Sequence, residues 1–444
     1  MHLTFYGGVN EIGGNKILLE INNKKLFLDF GISFEKRGMF YTDPYLKPGS
    51  FKDLLEFNIL PHIDGVYKFD YNAPYTHING VFLSHAHLDH AGYISALREE
   101  IPIYCGETTE IILKTLDEMR LPNFETSISG ISFNTFRTGD KINIDNEIIV
   151  EPIHVDHSVP GAYGFIIYTD KGNIVYTGDF RLHGTKSNLS YDFLEKAKSA
   201  KPYLLITEAT NIQEAYLFSE PELTEKLNNL IKHTEGLIIT QFALTDIDRL
   251  RSFYEACKEN QRLLVLTTKQ AFLLWMLYQK DSYISIPNIS DENILIFKKK
   301  KKNYSTWENN LFKFFDNVID TNQLKNIQDK VVLVMPFYDL KELIDISPKG
   351  GGLFILSSSE PFNEEMELDY KRLLQWLSYY GLPLYSLHVS GHIMPLDLKE
   401  AIKIINPKIV LPVHTQSPLV FRNFFSEFKN IQIKLPKENI KISL

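Results

Sequence analysis

Cysteine is scarce. The 444-residue chain has two, Cys105 and Cys257, far apart in sequence and forming no CxxC pair. That excludes a disulfide framework and a thiolate metal site, and it points to a reducing compartment, the cytosol. Long apolar runs are missing too: no stretch reaches the ~18 uninterrupted apolar residues of a membrane span. The stretch M-H-L-T-F-Y-G-G has no basic region followed by an apolar run and does not read as a secretory leader. The expectation is a soluble, cytoplasmic protein with no membrane partner. Basic residues are outnumbered, 47 against 55, giving a formal charge of −8. Such a chain does not coat nucleic acid by bulk attraction, so any nucleic-acid contact must be local.

What is present is a globular composition, 44% hydrophobic and 13% aromatic, at a length that predicts two or three domains of roughly 100–200 residues. The stretch Gly80 to Gly92 organises the rest. Val81, Phe82 and Leu83 read as a buried strand, and His85, His87, Asp89 and His90 follow at once. With 13 histidines in the chain, three in this six-residue window is a concentration that a polar surface turn does not require. Imidazole and carboxylate together suit zinc or another first-row ion, and a loop carried on a rigid strand can aim neighbouring side chains at one point.

The remaining ligands have to come from elsewhere. Lys25 to Leu28 reads as a strand ending at Asp29, which taken alone is a turn residue. The residues from Ile32 to Pro74 read as a long decorated loop with one short helix at 51–57. Gly92 to Glu100 reads as helical, Ile101 to Tyr104 as a strand and Thr109 to Arg120 as a helix. Strand-like runs over 142–155 end in H-V-D-H-S, offering His154 or His157. Tyr163–Thr169 and Asn173–Thr177 form a hairpin around Asp170-Lys171-Gly172, and the second run leads to Asp179. Each time, a strand ends in Asp or His. Strand ends gathered on one sheet edge bring such residues together in space.

The succession of L-D-F-G at Leu28–Gly31, H-A-H-L-D-H at His85–His90, D-H-S at Asp156–Ser158 and G-D-F at Gly178–Phe180 resembles the metallo-β-lactamase superfamily. The resemblance selects His157 over His154. T-E-A-T around Glu208, H-V-S-G-H at His388–His392 and L-P-V-H-T around His414 are similar to the three extra motifs of the β-CASP group, its nucleic-acid-processing branch, in the manner of ribonuclease J and RNA 3′-end-processing endonucleases. This implies an α/β protein: an αββα sandwich over 1–207, an inserted α/β β-CASP cap over 208–387, and a segment completing the sandwich over 388–444. Within the cap, helical spacing over 221–233 and 246–259 alternates with strand-like runs at 237–240, 263–266 and 331–335, which predicts a parallel sheet. Lys298 to Lys302 is a run of five lysines, a solvated loop in one reading and a phosphate contact in the other.

By the same resemblance, His85, His87 and His157 hold one metal ion, Asp89, His90 and His414 a second, and Asp179 bridges them. Two Zn2+ are implied, with Mn2+ as a substitute. Asp29 orients a metal-binding histidine. Asp89, Asp179, Glu208 and His392 carry catalysis, with Glu208 orienting His392 as general acid, while His388, Val389, Ser390, Gly391 and His392 touch the substrate backbone. The activity implied is a zinc-dependent phosphodiesterase, a ribonuclease acting as 5′-3′ exonuclease, endonuclease or both in RNA processing or decay. Its partner is single-stranded RNA in the cleft between the two domains. A histidine at 414 accompanies RNA enzymes of the group, whereas its DNA nucleases carry valine there. The alternatives are a DNA nuclease, a small-molecule metallo-hydrolase and a scaffold without catalysis. The chain ends 30 residues after His414, so the expectation is a near-bare catalytic core of open oligomeric state, a homodimer being one outcome.

Overall fold

The strand Tyr163–Tyr168 shows how the fold is built. Phe165 and Ile167 face one core cluster and Ile166 another, the period of two of a strand buried on both faces. The neighbouring strand repeats the division, with Ile174 and Tyr176 on one side and Val175 on the other. The computed structural model describes residues 1–70, 73–120, 123–214, 218–281, 283–358 and 364–444. They form two compact units, Met1–Tyr216 with Gly391–Leu444, and Leu217–Ser390.

The first unit holds two seven-stranded sheets. One runs in the spatial order Lys441–Ser443, His2–Gly7, Lys16–Ile21, Lys24–Leu28, Gly80–Phe82, Ile103–Gly106 and Phe133–Phe136. The other runs Gln432–Ile433, Ile409–Val413, Leu204–Glu208, Ile174–Tyr176, Tyr163–Tyr168, Ile148–His154 and Ile142–Ile144. Leu3, Phe5, Leu19 and Phe82 of the first meet Val150, Phe165, Ile206 and Leu411 of the second in one apolar layer. The outer face of the second sheet is covered by helices Ser187–Ser199, Pro395–Ile405 and Pro418–Phe424, through Phe193, Leu194, Ile402 and Phe421. Helix Glu107–Met119 packs on the first sheet. The layers are α, β, β, α, the expected sandwich.

The strands that matter for chemistry are parallel. Lys24–Leu28 pairs in parallel with Gly80–Phe82, and Leu204–Glu208 lies in parallel between Ile174–Tyr176 and Ile409–Val413. Their C-terminal ends therefore leave each sheet on one edge. The second unit is an all-parallel sheet of seven strands, Val318–Ile319, Ile294–Phe297, Leu263–Thr267, Val331–Val334, Ile238–Gln241, Leu353–Leu356 and Leu384–Ser386 in spatial order. Among the described residues, no helix is long and apolar enough to cross a membrane.

Three sequence expectations need adjustment. The segment over 92–100 is not an α-helix; Leu88–Ala91 makes one α-turn and Gly92–Ala96 a 3-10 turn. All five residues of that turn are buried, so no exposed face sets an amphipathic period. The decorated loop contains a second helix, Phe34–Phe40, started by the Ser33 hydroxyl accepting from Lys36 N–H. It buries none of its residues, so no apolar stripe announces it. The compact units divide at Tyr216/Leu217 and Ser390/Gly391, not after residues 207 and 387. On the N-terminal side the sandwich still holds the residues just past Glu208: Ala209 N–H donates to Val413 O and Asn211 Nδ2 to His392 O. Replacing Phe165, which is wholly buried between the sheets, with alanine should cost about 3–5 kcal/mol. A lowered denaturant midpoint of the sandwich transition, with little change in slope, is the expected result.

Candidate metal centre

Most of the donor groups gather at strand ends. His85 to His90 follow Gly80–Phe82, His157 follows Ile148–His154, Asp179 follows Ile174–Tyr176, Glu208 ends Leu204–Glu208, and His414 follows Ile409–Val413. Three sets of donor atoms gather, each within 4.8 Å: His85, His87, His157 and Asp179; Asp89, His90 and His414; and Asp179, Glu208, His392 and His414. All seven residues expected as metal ligands fall in the first two sets. His154 does not; its ring stacks on Tyr163 at 4.9 Å.

In the first set His87 Nδ1 lies 3.1 Å from His85 Nε2 and 3.2 Å from His157 Nε2. Donors on a tetrahedral ion at about 2.0–2.1 Å sit roughly 3.3 Å from each other, so these edges suit a shared cation. In the second set His414 Nε2 is 3.1 Å and His90 Nε2 3.8 Å from Asp89 Oδ2. Asp179 Oδ2 reaches both sets, 3.6 Å from His85 Nε2 and 3.0 Å from His90 Nε2. His90 Nε2 and both carboxylate oxygens of Asp179 are buried without a hydrogen-bond partner among the described residues. Buried polar atoms left this way carry a desolvation cost that a bound cation would remove. The donor set fits a metal centre.

The ring nitrogens of His85, His90, His157 and His414 that face away from the cluster are engaged, which fixes which nitrogen of each of these rings carries a lone pair. His157 Nδ1–H donates to Gly391 O at 2.6 Å. A Cβ on Gly391 would lie 2.9 Å from His157 Cε1, so this close approach requires glycine. His90 Nδ1–H donates to Asp29 Oδ2 at 2.7 Å, and His85 Nδ1–H to the Ser84 hydroxyl at 2.9 Å, whose own proton goes to Asp29. Asp29 thus stands behind two histidines and is not itself in a donor set. His414 Nδ1–H donates to Thr210 Oγ1 at 2.8 Å, and Thr210 donates to Glu208 Oε2 at 2.7 Å.

The electrostatics divide the histidines. Burial, with the neighbouring rings, pushes His85 and His157 well below their ordinary range, and burial holds His87 at about 4. All three stay neutral and free to bind a cation. His392 goes the other way: burial lowers it, but Glu208 at 2.9 Å and Asp179 at 3.7 Å outweigh that and hold it at about 9. It carries a proton at neutral pH.

Several supporting residues had no motif to mark them. Thr210 lies inside the T-E-A-T stretch, yet nothing in the letters assigns its hydroxyl. Tyr176 reads as a core residue, but its hydroxyl donates to Asp29 Oδ2 at 2.6 Å. Asn15 ties the glycine-rich N-terminal loop to the centre, through its N–H to Asp89 O at 3.1 Å and its Nδ2 to Tyr176 Oη at 3.1 Å. Arg181, fully buried, pairs with Asp156 at 3.4 Å and steadies the D-H-S turn. Of the H-V-S-G-H segment, Gly391 and His392 belong to the sandwich, whereas His388, Val389 and Ser390 belong to the other unit, His388 half-buried and the other two buried. The lysine run lies in that unit as well. Lys299 pairs with Asp339, Lys301 with Glu308, and Lys298 lies over the Tyr304 and Phe312 rings. Three of its five side chains are thus engaged within the cap.

Thr210→Val keeps the shape and removes the hydroxyl that orients His414 and Glu208. Loss of such a support lowers metal affinity by about 10–100-fold. Metal content after dialysis against graded chelator should show that drop, and wild-type retention would remove the role given to Thr210.

A family model described as "Beta-lactamase superfamily domain" matches residues 69–214. The chain is 25% identical over 419 residues to ribonuclease J 2 of Streptococcus pyogenes, an alignment covering 92% of this chain and 68% of that protein. It is 26% identical over 434 residues to ribonuclease J of Thermus thermophilus, covering 92% and 67%. It is 24% identical over 436 residues to ribonuclease J of Pyrococcus abyssi, covering 92% and 88%. A crystal structure of a protein of unknown function from Enterococcus faecalis superposes with a TM-score of 0.79 at 24% identity, over 100% of this chain and 99% of that one. Motifs, layers and likenesses converge: the chain carries a beta-lactamase superfamily match over 69–214 and over most of its length is similar to ribonuclease J proteins, in line with its resemblance to the β-CASP group of the metallo-β-lactamase superfamily.

Proposed function

We propose that this protein is a metal-dependent ribonuclease that hydrolyses phosphodiester bonds in single-stranded RNA. The observation that carries the reading is the pair of donor sets joined through Asp179, with the charged His392–Glu208 pair beside them. His85, His87, His157 and Asp179 would hold one ion and Asp89, His90, His414 and Asp179 the other, with zinc favoured by the imidazole-rich set and manganese as a substitute. Bound there, such ions activate water at neutral pH and neutralise the charge that grows on a phosphate during in-line displacement.

The protein's own groups supply the rest. His392 sits on Glu208, which also accepts the Phe180 N–H at 2.9 Å, so the carboxylate is held from two sides. A histidine protonated near neutral pH and adjacent to the donor sets is placed to give its proton to the leaving oxygen. A serine hydroxyl and a glycine backbone N–H, the groups of Ser390 and Gly391, are of the kind that bind a phosphate, the role the resemblance assigns to this segment. The likeness to ribonuclease J proteins and the histidine at 414 favour RNA over DNA as substrate.

A cleavage assay on matched single-stranded RNA and DNA, each 5′-monophosphorylated, tests this reading with and without chelator. Loss of RNA alone, abolished by chelator and by Asp179→Ala, is the expected outcome, and the product ladder separates exonuclease from endonuclease action. Equal cutting of DNA would replace the reading with that of a DNA nuclease. His392→Ala should lower turnover by about 10²–10⁴-fold with metal content unchanged. Loss of metal in that variant would make His392 a ligand, as the third donor set allows.

A further inference from the structure

Two adjacent strands of the cap sheet, Leu353–Leu356 and Leu384–Ser386, run in parallel and release the chain on the same edge. Ser357 follows the first and Leu387 the second. Leu387 is also the residue directly before His388, so its backbone sets where the H-V-S-G-H segment begins. One side chain holds both exits. Arg249, in the first turn of helix Ile247–Glu259, is fully buried, and its Nη1 donates to Ser357 O and Leu387 O, both at 3.2 Å, and to the Ser357 hydroxyl. The Ser357 hydroxyl passes its own proton to Leu387 O at 2.5 Å. Nη2 donates to Glu220 Oε1 at 3.0 Å, and Glu220 is fully buried as well.

A buried ion pair is a poor way to gain stability, because removing two charges from water offsets most of their attraction. A guanidinium is, however, well suited to fixing geometry: its planar fork presents several donors at set angles, where an ammonium offers a point charge. The targets here are backbone carbonyls at the ends of two strands, not loops at the periphery. We propose that Arg249, braced by Glu220 and working through Ser357, is a positioning residue that sets the path of Leu387 and thereby the presentation of His388, Val389 and Ser390 to the RNA backbone. The proposal rests on the ribonuclease reading, in which that segment contacts substrate.

Arg249→Lys retains a cation opposite Glu220 but has a single nitrogen for four acceptors, and Ser357→Ala removes one link while leaving the ion pair. Steady-state cleavage of a 5′-phosphorylated RNA is compared with hydrolysis of bis(p-nitrophenyl) phosphate, a diester with no chain to seat. Misplacement of a binding segment costs on the order of tenfold to a hundredfold, expected here as a raised KM for RNA in both variants. The small diester should be turned over at the wild-type rate. An unchanged KM for RNA in the variants overturns the proposal, as does an equal loss on both substrates accompanied by a lowered unfolding midpoint. Should Arg249→Lys fail to fold, Ser357→Ala decides. A wild-type protein that hydrolyses the small diester but leaves RNA intact overturns the ribonuclease reading, and this inference with it.

Discussion

A carboxylate sealed from water needs its lone pairs filled, and Asp29 fills them from three directions. It accepts the backbone N–H and hydroxyl of Ser84, the Nδ1–H of His90 and the hydroxyl of Tyr176. Those donors come from the loop after Gly80–Phe82 and, in Tyr176, from a strand of the opposite sheet. One side chain therefore ties the two sheets together at the edge where the donor sets form. The backbone at Asp29 adopts a left-handed conformation, φ 59°, and so does His414 at φ 56°. Non-glycine residues held there cost about 1–3 kcal/mol each, a strain that persists only where the surroundings impose it. Both lie at strand ends of the centre, where that turn directs the side chain.

The same edge imposes tight packing on the motif glycines. A Cβ on Gly31 would stand 1.7 Å from Asp89 O, so the strand-end turn after Asp29 and the helical turn carrying Asp89 and His90 touch backbone to backbone. Histidine orientation is thus fixed twice, by hydrogen bonds behind the rings and by contact between the loops that bear them. Donors positioned by their neighbours in this way lower the ordering cost of binding in general.

Much of this was legible from the letters because metal donors are few in kind and stand next to strands. The strand-end pattern at Asp29, His85–His90, His157 and Asp179 could be read from apolar runs and their terminators. What period-two reasoning could not do was choose between His154 and His157, since one ends the strand and the other lies three residues past it, with only the fold of the turn to tell them apart; the resemblance made that choice. Thr210, Tyr176 and Asn15 were out of reach for another reason. Each acts through hydrogen bonds from a residue whose type is common in cores and turns, to partners that include ones far along the chain, 74 residues for Asn15 and Asp89 and 204 for Thr210 and His414. The helix Phe34–Phe40 escaped because a helix without a buried face has no periodicity to read. Nothing in the letters separates the buried Arg249 from an ordinary charge on an amphipathic helix.

The placing of the cap within the chain has a consequence for how the molecule is made. Strands Leu204–Glu208 and Ile409–Val413 are direct neighbours, with Glu208 opposite Val413, yet the whole second unit is translated between them. The second sheet cannot close, and His414 cannot join Asp89 and His90, until about 200 further residues have left the ribosome. The second unit's sheet draws every strand from within Leu217–Ser390, so it is free to fold during that wait. Once folded, it turns a long flexible connection into a short effective one and reduces the entropy lost when the two strands pair. The half-finished sandwich, with an unpaired strand edge at Leu204–Glu208, is the stage at which a nascent chain is most exposed to mispairing.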